Sequence, residues 1–311
     1  MIILIIYLNL NKDENNDKNE DANKYSFELV YYSDEENETI SLINASFIES
    51  IYKMEINNET INPHSKYLFK NKGNHKVYFY IKKNRIKSMN SMFKNITKLK
   101  SVIFYSYIDT NIIIDMEDMF NECNSLNYIN LNNLDTQSIT SMKGMFNNCE
   151  SLNTIIISNF NTENIKDMSY MFNNCKNLTF INVTNFKTGN VKNMSNIFNN
   201  CISLTSINVS NFNTENVKDM SYMFNNCESL TSINVSNFDT VNVKDMSYMF
   251  NNCKSLTSIN ASNFHTQNVQ DMCYMFNNCK SLLSVNISNF NVQNVQDMSY
   301  MFNNCESLTT I

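Results

Sequence analysis

The sequence predicts an α/β solenoid with one short strand and one short helix in each 26-residue coil, preceded by a small antiparallel β module. Phenylalanine recurs every 26 residues from Phe120 to Phe302, and a cysteine follows each of these phenylalanines by three residues. Phe93 begins the series one residue out of phase, with Ile96 at the cysteine position. The chain therefore contains one degenerate and eight regular coils, of which the last is incomplete.

Residues 167–192 show how one coil is expected to fold. Its apolar residues stand at i, i+3, i+4 and i+7 between Met168 and Cys175, which is the spacing of one face of a two-turn helix. A residue of a preferred N-cap type precedes this segment in every coil. Asn174 and its equivalents are expected to end the helix in a left-handed conformation. The aspartates among the predicted N-caps are Asp115, Asp167, Asp219, Asp245, Asp271 and Asp297.

Leu178, Ile181 and Val183 follow, in a pattern typical of a short strand. A two-turn helix and a three-residue strand do not bury their apolar faces alone, so each coil must stack on its neighbours. Equivalent strands are expected to pair in parallel at about 4.8 Å, whereas packed helices need about 8–10 Å. The stack is therefore predicted to curve, with the strands on its concave side.

Two segments precede the repeats. Residues 1–24 combine an apolar start, MIILIIYL, with a polar lead that is predicted to be disordered. The apolar start is open to three interpretations: a secretory signal, a first strand or a truncated beginning. Residues 25–84 alternate apolar and polar side chains, as in HKVYFYIKK, and predict the small β module, with Gly73 supplying the positive φ of a hairpin turn. The solenoid covers residues 85–311.

Charge and length exclude several classes of partner. The formal net charge is −6, from 24 basic and 30 acidic residues spread along the chain. Without a basic stripe, nucleic acid and anionic membrane are not expected as partners. The apolar start is far shorter than the roughly 20 residues of a spanning helix, so no membrane span is predicted.

The protein is expected not to be an enzyme, with no catalytic, cofactor-binding or metal-binding residues. The three histidines, His64, His75 and His265, lie in unrelated contexts, which gives no support for a catalytic dyad or a histidine metal site. No Gly-rich phosphate loop, serine nucleophile elbow or Cys-x-x-Cys pair occurs. One carboxylate per coil falls short of the six or more oxygen ligands of calcium, so N-capping is the better explanation of the aspartates.

The regularly spaced cysteines allow two interpretations, as disulfide or metal partners or as small core residues on the helical face. Helices about 8–10 Å apart would put equivalent Cα atoms beyond disulfide reach, which favours core residues. Cys273 replaces the serine of the repeat, lies off the predicted buried stripe and is expected to react in the native state. An AT-rich genome would explain the excess of asparagine as well as selection for chemistry would, so abundance alone indicates no role for any single asparagine.

The recurring unit DMSYMFNNCxSLTSINVSNF resembles the 26-residue repeat of bacterial-type surface proteins, the BspA-like leucine-rich-repeat group, over about residues 85 to 311. The resemblance implies a leucine-rich-repeat-like fold and frequent display at the cell surface, with adhesion or partner binding as the usual role. It carries over no catalytic residues. The amino terminus is not a clear export signal, and no capping repeat precedes Ile311. The expected location is therefore the cell surface or the exterior, with the cytoplasm as the alternative.

Helical geometry places Tyr170 about 200° from Met168, opposite the predicted buried face. The candidate partner-binding residues are Tyr170, Tyr222, Tyr248, Tyr274 and Tyr300, expected about 10 Å apart on a helical surface. Tyrosine is enriched at binding hot spots. The alternative is that each ring lies on its neighbour and contributes to packing.

The primary functional hypothesis is an interaction or adhesion module that binds a protein or a glycan along a repetitive surface. A structural spacer is the first alternative. A flat face that binds ice or a crystal through rows of Thr, Ser and Asn is the second. Self-association through an open end of the solenoid is a further partner hypothesis.

Overall fold

The computed structural model describes residues 26–82, 86–105 and 113–311, and this part of the chain consists of strands, turns and one 3-10 helix, Ala45–Ser50. The expectations for residues 1–24 lie outside the described residues. The strands before the regular repeats are β1 Phe27–Ser33, β2 Glu38–Ser41, β3 Ile51–Ile56, β4 Glu59–Ile61, β5 Lys66–Phe69, β6 Gly73–Ile81 and β7 Leu99–Phe104. Those in the regular repeats are β8 Tyr128–Asn130, β9 Thr154–Ile156, β10 Ser258–Asn260 and β11 Ser284–Asn286.

A seven-stranded mixed sheet joins the amino-terminal strands to the first repeats. Its order is β4-β3-β6-β1-β7-β8-β9, antiparallel as far as β7 and parallel from β7 to β9. Strands β2 and β5 form a separate antiparallel pair. Because β1 bonds to β6 on one side and to β7 on the other, the first repeat continues the amino-terminal sheet directly.

The alternating pattern before the repeats predicts strands where the structure has β1, β3 and β6. Val77 and Phe79 are fully buried in β6, as the period of two requires. Gly73 has the expected positive φ, of 123°. It does not lie in a hairpin, however, because β5 and β6 belong to different sheets.

The repeats bury one continuous apolar core. One phenylalanine from each coil stacks on the equivalent ring of the next, from Phe93 to Phe302, with ring centroids 5.3–5.6 Å apart. Methionine, leucine and valine residues of the same coils are also buried. Parallel pairing of equivalent strands is confirmed for β7 to β9 and for β10 with β11.

The segment Met168–Cys175, which the sequence predicts to be helical, is a series of tight turns. The N–H groups of alternate residues, from Met168 to Asn174, donate to carbonyl oxygens of the next coil at 2.8–3.1 Å. The N–H groups of Met171, Asn173 and Cys175 donate to carbonyl oxygens three residues back within the coil, as from Met171 to Met168 at 3.2 Å. Tyr170 and Asn174 have left-handed φ values of 59° and 57°. The same turns recur in the other described repeats, and none of them contains a helix.

The prediction of one helix per coil is wrong because successive turns bury the same positions as a helix. Each turn is closed by an N–H group that donates to the carbonyl oxygen three residues earlier. A residue with left-handed backbone recurs at every fourth position. Met168, Met171, Phe172 and Cys175 are therefore all fully buried, as a helix would bury them. The left-handed conformation predicted for Asn174 is confirmed, although it ends no helix.

The aspartates predicted as N-caps are not helix caps, since no helix begins after them. Each instead accepts the N–H of the residue two positions on, at 2.7–2.9 Å, and so closes a local turn. The chemistry that suits aspartate to an N-cap, a short side chain with an acceptor oxygen, suits this turn equally. The residues concerned are Asp115, Asp167, Asp219, Asp245, Asp271 and Asp297.

Coil spacing differs from the expectation based on helices. Ring centroids of equivalent residues are 4.5–4.8 Å apart in the tyrosine series from Tyr222 to Tyr300, and 6.3–6.5 Å apart in a second phenylalanine series that includes Phe186 and Phe212. Both spacings are well below the roughly 8–10 Å of packed helices, so the expected widening on that side is wrong.

Asparagine has defined structural roles along the stack. In one row, the side-chain amide of each coil donates to the Oδ1 atom of its equivalent in the preceding coil, at 2.6–3.2 Å, from Asn147 to Asn303. In another, Asn185, Asn211 and Asn237 donate to backbone carbonyls of the preceding coil at 2.8–2.9 Å. These asparagines therefore have structural roles between coils, which the composition alone did not indicate.

Candidate interaction surface

The five candidate tyrosines occupy one structural position, and their backbone there is left-handed. Their φ values are 56–59°, and the equivalent residues Ser91, Asp118, Gly144 and Asn196 are left-handed too. Glycine and asparagine adopt this region readily, whereas a bulky side chain in it is uncommon. The sequence thus places tyrosine where the backbone favours smaller residues. The tyrosines are Tyr170, Tyr222, Tyr248, Tyr274 and Tyr300.

Four of these residues form a continuous stack, here called the tyrosine row: Tyr222, Tyr248, Tyr274 and Tyr300. Successive ring centroids lie 4.5, 4.6 and 4.8 Å apart, with interplanar angles of 7°, 8° and 21°. Tyr300 is exposed and the other three are half-buried. The rings reach the surface, as predicted, but at half the expected spacing, so each ring also packs on its neighbour.

Tyr170 lies outside the tyrosine row. Its equivalents in the adjacent coils are Gly144 and Asn196, so no tyrosine stacks on either side of it. It is 39 % exposed. The structure therefore separates the five candidates into one stack of four and one isolated ring.

A row of carboxylates runs along the stack three residues before the tyrosines. Asp219, Asp245, Asp271 and Asp297 are paired coil to coil by successive parallel bridges. Burial, followed by the charges of Asp219 and Asp271, raises the pKa of Asp245, against hydrogen bonds from Ser247 that lower it. Stacking of equivalent residues thus brings together carboxylates that are 26 residues apart in sequence.

The phenols of the tyrosine row are influenced by the same neighbours. Burial, followed by the charges of Cys273 and Asp245, raises the pKa of Tyr222. Burial and the adjacent Tyr222 raise the pKa of Tyr248 to about 12. The Tyr222 and Tyr248 phenols therefore stay protonated at neutral pH, as neutral hydrogen-bonding groups beside an acidic row.

An amide row flanks the tyrosines on the other side in sequence. Asn226 and Asn252 donate to the Oδ1 atoms of Asn200 and Asn226 at 2.6 and 2.7 Å. Asn226 and Asn252 are half-buried, like the aspartates and tyrosines of the same coils. The partly exposed positions of these turn segments thus carry carboxylate, phenol and amide groups, and the segments DMSYMFNNC and DMCYMFNNC contain no basic residue.

All nine cysteines are free, and eight are buried. In every regular coil the thiol donates to a phenylalanine carbonyl of the preceding coil at 3.0–3.3 Å. The argument from helix spacing that set these cysteines beyond disulfide reach does not apply, since the coils are closer than helices. The prediction that Cys273 lies off the buried face is also wrong, because the residue is 8 % exposed; its reactivity in the native state stays a prediction.

The structure brings Cys273 together with two members of the carboxylate row. One carboxylate oxygen from Asp271, one from Asp297 and the Cys273 sulfur all lie within 4.8 Å of one another. Sequence reasoning missed this group because it assumed one isolated carboxylate per coil. The available signal was a cysteine in place of serine within a run of aspartate-bearing coils.

The histidines occupy separate parts of the fold. His75 is buried against Phe69, with ring centroids 4.1 Å apart, and its Nε2 lies 2.8 Å from the Asn71 carbonyl oxygen. His64 and His265 are exposed. Within the described ranges, no helix is long and apolar enough to span a membrane.

These features define a tandem-repeat protein in which each coil is hydrogen-bonded to the next. The chain belongs to the family described as "Mycoplasma protein of unknown function, DUF285", whose model matches residues 64–179, 166–281 and 232–310. No curated protein and no solved structure matches the chain.

Proposed function

We propose that the protein is a non-enzymatic, leucine-rich-repeat-like solenoid of the BspA-like type, displayed at the cell surface, which binds a protein or glycan partner through the tyrosine row. One observation carries the proposal. Four tyrosines occupy left-handed backbone positions at which other repeats have Ser, Asp, Gly or Asn.

Left-handed backbone at a bulky residue costs free energy, and such conformations concentrate at functional sites. Ring stacking offsets part of that cost in the tyrosine row. It offsets none at Tyr170, which has no tyrosine neighbour. At Tyr170, selection for stability alone would therefore favour asparagine or glycine, so the tyrosine at this unstacked position supports a role in contact with a partner.

The exposed groups suit a polar, repetitive ligand. Ring faces inside the row are covered by neighbouring rings 4.5–4.8 Å away, so a ligand is expected to contact ring edges and hydroxyl groups. The carboxylate and amide rows add hydrogen-bonding groups on both sides. Binding is therefore expected to depend on several coils at once, with a hydroxyl group from each.

The flat-face alternative has less support. On the strand side, the hydroxyls of Thr205, Thr231 and Thr309 donate to carbonyl oxygens of the preceding coil at 3.1–3.4 Å. Leu283 interrupts this row and is 54 % exposed. A regular array of free hydroxyl groups, which a lattice-binding face needs, is therefore broken at this row.

The test changes Tyr222, Tyr248, Tyr274 and Tyr300 together to Asn, the residue that occupies the same left-handed position at Asn196. Binding to cell-surface extracts and glycan arrays is measured beside the melting temperature. A matched control changes four strand-side residues, Ser206, Ser232, Ser258 and Ser284, to Asn.

We expect the tyrosine variant to lose at least tenfold in binding while it still melts cooperatively, and the serine variant to bind normally. Equal binding by the two variants would reject the site and leave the spacer function. Surface display is tested separately by labelling intact cells with an impermeant amine reagent; protection of the protein until lysis would contradict it.

A further inference from the structure

The group formed by Asp271, Cys273 and Asp297 belongs to neither the core nor the tyrosine row. Its two carboxylates come from successive coils, stacked by the parallel bridge between Asp271 and Asp297. The sulfur and the two carboxylate oxygens lie within 4.8 Å of one another. Ligand atoms around one tetrahedral ion lie about 3.3–3.8 Å apart, since metal–sulfur and metal–oxygen bonds are about 2.0–2.3 Å long, so the three side chains need small rotations to contact a single ion.

The Cys273 thiol is a second, independent feature of this place. The other eight cysteines each donate to a phenylalanine carbonyl within the stack. Cys273 occupies a different position of its coil and is more than nine-tenths buried, and its sulfur lies within 4.8 Å of a carboxylate oxygen of Asp271 and one of Asp297. Five other coils have serine at this position, so the fold itself does not need a thiol there: Ser169, Ser195, Ser221, Ser247 and Ser299.

We propose that Asp271, Cys273 and Asp297 bind one divalent cation of the zinc class. A thiolate is a soft ligand that selects zinc-like ions, and carboxylates are found beside it in zinc sites. Three protein ligands leave a fourth tetrahedral position for water. The exposed Asp297 provides a route for the ion, and the buried sulfur anchors it.

Binding removes one proton from the site. In the metal-free protein, Cys273 is a free thiol close to the Asp271 and Asp297 carboxylates. A bound cation stabilises the thiolate and also screens the two stacked carboxylates from each other. The thiol proton passes to solvent. The net charge of the group therefore rises by one, because the divalent cation adds two positive charges and the lost proton removes one.

The experiment titrates the reduced, chelator-treated chain with Zn²⁺ or Cd²⁺. We expect one ion per folded chain, the ultraviolet absorption band of a cadmium–thiolate bond, and release of about one proton. Cys273→Ser restores the residue of the neighbouring coils and should fold normally, yet weaken Zn²⁺ binding at least tenfold and abolish the band.

Two further variants follow from the repeat. Asp271→Asn copies Asn193, which holds the same position in another coil, and should also weaken binding. Ser247→Cys places a thiol beside Asp245 and Asp271 and should create a second, competing site with its own cadmium band. Both variants should keep the melting temperature of the metal-free chain within a few degrees.

Two results would overturn the proposal. One is absence of Zn²⁺ or Cd²⁺ uptake by the folded chain at micromolar ion. The other is Zn²⁺ uptake by Cys273→Ser that equals uptake by the wild-type chain, or Ca²⁺ uptake by both chains that equals their Zn²⁺ uptake. Either outcome would assign binding to the carboxylates alone.

Discussion

Tyrosine at a left-handed position has a cost that depends on its neighbours. The left-handed conformation brings Cβ close to the following carbonyl oxygen and costs roughly 1–2 kcal/mol. Tyr248 recovers stability from ring contacts at 4.5 and 4.6 Å on its two sides, whereas Tyr170 has no such contact. The same residue type at the same position should therefore respond differently to substitution.

We expect Tyr170→Asn to stabilise the protein by about 1 kcal/mol, because asparagine tolerates left-handed backbone. Tyr248→Asn should lower stability by about 1 kcal/mol, since two aromatic contacts of about 0.5–1.5 kcal/mol each are lost and only part of the strain is relieved. Urea denaturation measures both. Destabilisation by both changes to the same extent would mean that strain at this position is negligible.

The buried thiols predict a pH dependence. Burial raises the pKa of Cys201 to about 12, and burial also raises the pKa of the equivalent thiols in the adjacent coils, Cys175 and Cys227. Unfolded thiols ionise near pH 9, so above that pH the unfolded chain loses protons that the folded chain keeps. Stability is therefore fully present below about pH 9 and falls as pH rises from about 9 toward 12.

The measurement is the free energy of unfolding between pH 8 and 11 under reducing conditions. In Cys201→Ala, the free energy of unfolding should fall less steeply with pH than in the wild-type chain. The difference in slope should be about 1.4 kcal/mol per pH unit, because one ionising thiol is removed. The comparison cancels the tyrosines and lysines, which titrate equally in both chains. Parallel curves for the two proteins would show that Cys201 ionises as easily folded as unfolded.

At the scale of the turn segment, each asparagine inside the amide row donates a hydrogen bond to one adjacent coil and accepts one from the other. The position therefore requires a short side chain that carries both a donor and an acceptor. Asn251 donates to Asn225 and accepts from Asn277, both at 2.6 Å, and it is buried. Aspartate at this position cannot donate, so two oxygens would face each other in a buried row. By contrast, Asn260 is exposed, and its Oδ1 only accepts the N–H of Ser262 at 3.1 Å.

We expect Asn251→Asp to destabilise the protein by about 2–4 kcal/mol, from a lost hydrogen bond and an added buried charge. Asn260→Asp should cost less than about 0.5 kcal/mol, because aspartate provides the same acceptor. Thermal unfolding at pH 7 compares the two. A similar loss of stability in both variants would mean that the added negative charge, and not the broken amide row, destabilises Asn251→Asp.

The same segment shows what sequence reasoning reaches and what it does not. Periodicity identified the buried residues Met168, Met171, Phe172 and Cys175, because turns and helix bury the same positions. It did not identify the backbone, since that depends on hydrogen bonds to a coil 26 residues away. Gly144 and Asn196 in the middle of predicted helices were the contrary signal in the sequence.

The candidate surface was likewise only partly predictable. The tyrosines were expected at the surface, but their stacking requires a coil spacing near 5 Å, which the helix model did not give. The group at Asp271, Cys273 and Asp297 depends on the same spacing. The sequence pattern within one coil thus predicts which residues are buried. Contacts between residues of adjacent coils can be predicted only when the distance between coils is known.

For the whole molecule, stability is expected to spread along the stack. Phe224 stacks on Phe198 and Phe250, each at 5.6 Å, whereas Phe302 stacks on Phe276 and is only half-buried. Phe224→Ala should therefore cost about 3–5 kcal/mol, and Phe302→Ala clearly less. Equal shifts in the urea midpoint would contradict a stack held together by nearest-neighbour contacts.

The rise per coil on the tyrosine side is the central structural claim, and a distance between spin labels at Tyr170→Cys and Tyr274→Cys measures it directly. These positions are four coils apart, and the native thiols are buried or half-buried. Closely bonded turns, with the 4.5–4.8 Å spacing of the tyrosine row, predict roughly 19 Å between the backbone sites. Packed helices would give roughly 32–40 Å, and a distance in that range would contradict the account.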